Sequence, residues 1–294
     1  MIGLGNAMER TELELRTKRW LERERTTDAY EGDINDYLCQ NNYRLYKYQS
    51  PFAVQGISDS DETAFDRFYN HIEQKTITLS APSVFNDPFD CLYALPLNCS
   101  VNIMRAVKKA NDCYNRVGCL AEGYDNRLMW SHYGADHQGV CIEYDVTNLS
   151  VNQKELLFAP VVYSRKPVLI PECIINSGVA MDPLTDTEKS LLTEGLFTKD
   201  QIWSHEKEWR IIIRRKDYTH ETEKHINFLM PAIRTIYLGA GISNFLNYSS
   251  KENRQVVDQL IRLKRLCEKK EIRLQMLTLN PNTYGLKLGK CLTE

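Results

Sequence analysis

The block that most restricts the fold is Trp203-Ser-His-Glu-Lys-Glu-Trp-Arg210, which runs straight into Ile211-Ile-Ile213. It reads as a strand with two carboxylates at its mouth. In an extended chain, side chains two apart point to the same side. Glu206, Glu208 and Arg210 are therefore expected on one face, with Trp209, Ile211 and Ile213 on the other. Two acids and a guanidinium crowded between tryptophans are costly unless something uses them. The user is a substrate, a metal or an exposed salt-bridge ladder with Lys207 outside it, and a ladder contributes at most about 1 kcal/mol.

The rest of the chain alternates strand and helix without the regular repeat of a doubly wound sheet. Residues 8–30 are dense in Glu and Arg, with Leu13, Leu15, Trp20 and Leu21 as a thin apolar stripe. They read as a charged helical arm (1–40) that docks on a partner protein or a second copy, or stays solvated. From Tyr43 a different pattern begins. Strands are expected at 44–48, 76–79, 139–144, 160–163, 206–214, 235–238 and 272–277, and helices at 61–74, 101–116, 186–197 and 251–269. On the last helix Val256, Val257, Leu260, Ile261, Leu263 and Leu266 are expected to share one face. Residues 164–183 are irregular. The expectation is one mixed α+β domain over 41–294.

Composition narrows the function classes. A formal net charge of -2 leaves no general electrostatic footprint for nucleic acid. No apolar run approaches the roughly 20 residues of a membrane span, and the N-terminus has no apolar signal-peptide core. Nine cysteines without a Cys-x-x-Cys pair signal neither a disulfide framework nor a zinc ribbon. A cytoplasmic protein with reduced thiols is the simple expectation.

Three constellations carry possible chemistry. Phe85-Asn-Asp-Pro-Phe-Asp90 is a turn, because proline restricts its predecessor and Asn or Asp can bond nearby backbone. Either Phe85 and Phe89 plug into the core, or Asn86 and Asp87 stand at the rim of a pocket. Trp130-Ser-His-Tyr133, with His137 and Glu143, offers aromatic surface and two histidines. Their five-residue spacing matches no helical metal motif, and no metal is expected. Glu206 and Glu208 form the third. Like charges two apart raise one carboxyl's pKa for acid–base work, and an ionised carboxylate can stabilise positive charge on a sugar carbon. There is no P-loop, no Gly-x-Gly-x-x-Gly and no Gly-x-Ser-x-Gly elbow.

Leu45-Tyr-Lys-Tyr48, Leu79–Asp90, Trp130–Gly134, Gly139–Tyr144, Trp203–Arg210 and Ile236–Gly239 occur in an order similar to the bacterial family known as domain of unknown function 2971. That resemblance covers about residues 43–279 and names no reaction.

A second, sparser resemblance is to mono-ADP-ribosyltransferases. Lys47 on an early strand, Ser80 after a second and Glu206-Lys-Glu208 before a later one follow their motif order. It implies a mainly antiparallel split sheet flanked by helices, with NAD as substrate. Glu208 would be the catalytic carboxylate on the ribose and Glu206 would position an unknown macromolecular acceptor. Lys47 would contact ribose or pyrophosphate, and Trp130 or Tyr133 would stack on nicotinamide. Tyr48, Ser80, Asn86 and His132 complete the implied cofactor set. Lys47 departs from the usual Arg or His, and Ser80-Ala-Pro from the full Ser-Thr-Ser. The expected function is an ADP-ribosyltransferase-like enzyme, transferring or hydrolysing at the NAD ribose, in bacterial defence or toxin biology. One alternative is a non-catalytic ligand-sensing or interaction module. The other is a metal-dependent phosphodiesterase or nuclease using His132, His137 and the two glutamates.

Overall fold

The computed structural model describes residues 8–22, 27–52, 63–95, 101–147, 149, 156–170, 192–214, 224–246 and 250–293. It is a mixed α+β fold with two five-stranded, largely antiparallel sheets and flanking helices. The chain divides into two compact units, each made of three separate stretches. One contains residues 1–42, 78–119 and 150–228, and the other contains 43–77, 120–149 and 229–294. Among the described residues no helix is long and apolar enough to cross a membrane.

The first unit opens with α1 (Arg10–Glu22) and α2 (Thr27–Gln40). Helix is what the sequence implied here, but these helices do not form an arm. Leu13, Trp20 and Leu21 of the apolar stripe are buried in the same unit, together with Tyr30, Ile34, Tyr37 and Leu38, while Leu15 faces outward. Trp20 stacks on Tyr30 at 4.6 Å and meets the edge of Phe197, and Tyr37 packs beside Trp209. The sheet beneath has the order β11–β2–β4–β10–β6. Its strands are β2 (Thr76–Ser80), β4 (Asn115–Leu120), β6 (Leu156–Pro160), β10 (Trp209–Arg214) and β11 (His225–Leu229), and the unit also holds two short parallel pairs, β3 (Tyr93–Ala94) with β8 (Val168–Leu169) and β7 (Val162–Ser164) with β9 (Thr198–Asp200). Trp209 to Ile213 of β10 are buried on both faces, as expected for a strand covered on each side. The loop after β2 turns through a short 3-10 segment, Pro82–Val84, and leads towards α4 (Val101–Tyr114). Residues 171–191 lie outside the described residues, so the irregular segment and the start of the 186–197 helix are partly beyond description. Residues 192–196 are helical.

The second unit holds the sheet β1–β5–β12–β13–β14. These strands are β1 (Arg44–Gln49), β5 (Val140–Asp145), β12 (Ala232–Leu238), β13 (Arg273–Leu279) and β14 (Leu286–Cys291). β12 and β13 run parallel, and the required crossover is supplied by α6 (Lys251–Lys270). Ser250 caps α6 by accepting from Asn253 N–H, and Glu271 ends it in the left-handed conformation. α3 (Ala64–Gln74) is capped by Thr63 in the same manner and buries Phe65, Phe68 and Ile72.

A short helix α5 (Arg127–Tyr133) precedes a turn in which Ala135, Asp136 and His137 all have positive φ. Backbone shape here leaves no room for a side chain opposite: a Cβ on Gly239 would lie 2.1 Å from the His137 carbonyl oxygen. Gly239→Ala is therefore expected to cost about 1–3 kcal/mol through forced backbone movement. Urea denaturation would read this directly, and an unchanged midpoint would contradict the close approach.

Candidate functional site

Glu206 and Glu208 stand where the sequence placed them, at the mouth of β10, but by a different route. Glu206 ends a 3-10 turn, Gln201–Glu206, and Lys207 follows in the left-handed conformation. The simple alternation therefore breaks at 207, yet both carboxylates still converge on one cation. Lys199 Nζ donates to Glu206 Oε2 at 2.6 Å and to Glu208 Oε2 at 3.0 Å. Arg210 Nε donates to Glu208 Oε1 at 2.7 Å. Arg210 Nη2 also reaches both Asp90 oxygens at 2.8 Å, and its Nη1 donates to the Leu196 carbonyl at 2.7 Å.

The ladder is thus a buried network and not an exposed one. Glu208 is 3 % exposed and Arg210 0 %, and only Lys207 points outward. Burial alone would raise the Glu208 pKa, but the adjoining Arg210 and Lys199 charges outweigh it and hold the carboxyl well below its ordinary range. The backbone is fixed as tightly. Glu208 N–H donates to Tyr163 Oη at 2.8 Å, and Arg10 of α1 donates to the Glu208 carbonyl at 2.9 Å and to the Val161 carbonyl at 3.1 Å. The Arg10 guanidinium also lies over the Trp209 ring.

The Phe85–Asp90 loop joins this network, which the sequence reading had kept apart. Asp90 supplies its third carboxylate, and the Phe85 ring sits beside the Arg210 guanidinium at 5.6 Å. Phe89 is 69 % exposed and does not plug the core. Asp87 accepts from Phe89 N–H and so shapes the turn locally, while Asn86 is exposed. Ser80 lies at the end of β2 and shares a hydrogen bond with His225 Nδ1 at 3.0 Å.

The remaining cofactor candidates belong to the second unit. Lys47 and Tyr48 are neighbours on β1, so their side chains leave opposite faces of the sheet, and the structure does not bring them to one site. Tyr48 is buried and donates to the Gly123 carbonyl at 2.7 Å. Trp130 is fully buried, donates from Nε1 to the Tyr124 carbonyl at 2.7 Å and meets Tyr48 edge-on. The Trp130 ring therefore has no open face for stacking on nicotinamide. His132 is exposed and Tyr133 half-buried beside it. Glu143 accepts from Tyr237 Oη at 2.8 Å and pairs with Arg44, and His137 stacks on Trp130.

Sequence reasoning missed Lys199, the cation that holds both glutamates. It also missed the partner of Asp90, because Asp90 and Arg210 are 120 residues apart. A lysine in Thr198-Lys-Asp200 carries no local signal for either contact. The strand spacing alone pointed to Arg210 beside Glu208.

No curated protein and no solved structure matches the chain. The matched stretch of a family model begins in α5 and ends within β10, so it takes in the Trp130–Gly134, Gly139–Tyr144 and Trp203–Arg210 blocks and leaves out the Phe85–Asp90 loop. Residues 129–211 match the family described as protein of unknown function (DUF2971), the family that the order of the sequence blocks resembles.

Proposed function

We propose that the chain is a non-catalytic ligand-sensing or interaction module in which Trp203–Arg210 acts as an internal ionic lock. The observation that carries this reading is the commitment of Glu208. Arg210 takes one of its carboxylate oxygens and Lys199 the other, in a site nearly closed to solvent. A glutamate that holds a ribose hydroxyl and stabilises a cationic ribose carbon needs an oxygen facing the substrate. Releasing one would strip a contact from a buried cation, leaving the Arg210 guanidinium to Asp90 or the Lys199 ammonium to Glu206. The buried positions of Trp130 and Tyr48 support the same reading.

The rival is the ADP-ribosyltransferase-like enzyme, with NAD as substrate and Glu208 as its catalytic carboxylate. The wild-type protein should be incubated with NAD and candidate protein acceptors while nicotinamide release is followed, beside Glu208→Gln checked for folding by circular dichroism. Neither protein is expected to release nicotinamide above the blank. Sustained release by the wild type, lost in a folded Glu208→Gln, would put the transferase in place of the lock.

A further inference from the structure

The two edges of the second unit's sheet are not alike. β1, at one edge, is covered: Tyr46 exchanges both backbone hydrogen bonds with Ala121, at 2.8 and 2.7 Å. β14, at the other edge, pairs with β13, and among the described residues nothing pairs with its outer side.

The register shows which groups are left over. At the hairpin turn Asn280 N–H donates to the Gly285 carbonyl at 3.0 Å. In an antiparallel ladder, bonded pairs alternate with unbonded ones. Leu279 and Leu286 therefore form an unbonded pair, and so do Leu277 and Leu288. Leu286 and Leu288 turn their N–H and C=O groups away from β13, two residues apart, which is the spacing an added strand uses.

The edge has two different faces. Leu277, Leu279, Leu286 and Leu288 share one of them through their cross-strand pairing. Leu277 is buried in the core with Trp130, whereas Leu279 is 71 % exposed and Leu288 50 %. Lys287 is exposed on the opposite face. So is Lys290, because Cys291 beside it opposes Gln275 beyond the bulge. Residues 272–293 include Arg273, Lys287 and Lys290 and no Asp or Glu.

These cations decide the occupant. A second copy is disfavoured, because the two-fold register that bonds Leu286 to Leu288 in both directions sets Lys287 against its own counterpart. An acidic strand meets no such penalty and is drawn by the same charges. We propose that β14 takes up an extended acidic segment of a partner protein as an added strand. Apolar side chains of that segment lie over Leu279 and Leu288, and alternate Asp or Glu residues lie beside Lys287 and Lys290. This surface belongs to the second unit and goes beyond the ionic lock. NAD consumption that depends on Glu208 would overturn the lock and leave β14 untouched.

The test is fluorescence anisotropy with the full chain at low salt and two labelled peptides of about eight residues. One alternates valine with glutamate, the other valine with lysine. The glutamate peptide is expected to bind at least about tenfold more tightly than the lysine peptide. Leu288→Pro removes an outward N–H while sparing the ladder with β13, and should weaken that binding at least about tenfold. Lys287→Glu combined with Lys290→Glu should reverse the preference. Should Leu288→Pro not fold, the charge reversal still decides the matter. No binding of the glutamate peptide, equal binding of both, unchanged binding by a folded Leu288→Pro, or an unreversed preference would each overturn the proposal. So would a concentration-dependent dimer that Leu288→Pro abolishes, which would make the occupant a second copy.

Discussion

Replacing Arg210 with methionine is expected to destabilise the protein by about 3–5 kcal/mol. The guanidinium holds Glu208 at 2.7 Å and both oxygens of Asp90 at 2.8 Å, and no part of it reaches solvent. Methionine fills similar volume and removes the charge, leaving Asp90, Glu206 and Glu208 around the single ammonium of Lys199. Lys199 cannot take over. It already contacts Glu206 at 2.6 Å and Glu208 at 3.0 Å, and stands 3.6 Å from Asp90. The loss therefore reflects buried carboxylates stripped of their counter-charge, not the net worth of one ion pair. An exposed pair supplies the contrast. Lys264 and Glu268, one turn apart on α6 and each nearly half exposed, should lose only a few tenths of a kcal/mol on Lys264→Met. Urea denaturation of both variants should show a large fall in midpoint for Arg210→Met and almost none for Lys264→Met. If Arg210→Met costs less than about 1 kcal/mol, the network is not a lock.

Local pattern was a good guide where the element is long, capped and amphipathic. α3, α6, β1 and β5 lie within a few residues of their expected spans, because each has a clear period and polar or turn-forming ends. β4 was not foreseen. Asn115-Arg-Val-Gly-Cys-Leu120 shows no alternation, since nearly all of it is buried, and it follows α4 directly. Its Gly118 is placed where a Cβ would meet Leu79 at 2.3 Å, a packing need that sequence alone does not reveal. On α6 the expected face was slightly rotated: Ile261 is 44 % exposed while Gln259 and Cys267 are buried.

The candidate site divides along the same line. That Glu208 and Arg210 share a face follows from strand geometry, and it holds. The burial of that face, the left-handed turn at Lys207 and the approach of Asp90 and Lys199 are tertiary facts. No residue in the block encodes them. The same residues that resemble a catalytic Glu-x-Glu therefore read equally well as a buried lock until their partners are known.

The N-terminal helices provide the second large effect. Deleting residues 1–42 is expected to leave the first unit unable to fold. α1 and α2 contribute Leu13, Trp20, Leu21, Tyr30, Ile34, Tyr37 and Leu38 to the buried core. At about 1.5–3 kcal/mol for each large apolar side chain, their loss is as large as the whole of a typical net stability of about 5–15 kcal/mol. Deletion also bares Trp209 and Phe197, which now pack against Tyr37 and Trp20. It removes the Arg10 guanidinium from the carbonyls of Glu208, which keeps only the Val161 N–H, and of Val161. The outcome should be aggregation, or loss of the near-ultraviolet signal from the buried aromatic rings. A milder probe separates the two contributions. Arg10→Ala leaves the apolar stripe intact and should lower stability by about 1–3 kcal/mol through the lost carbonyl contacts. A charged arm held ready for another molecule would behave differently: the truncated chain would remain soluble and melt cooperatively within a few degrees of the full chain. The high charge of these helices is thus the solvent face of an integral layer, whose inner face closes over β10 and the base of the ionic lock.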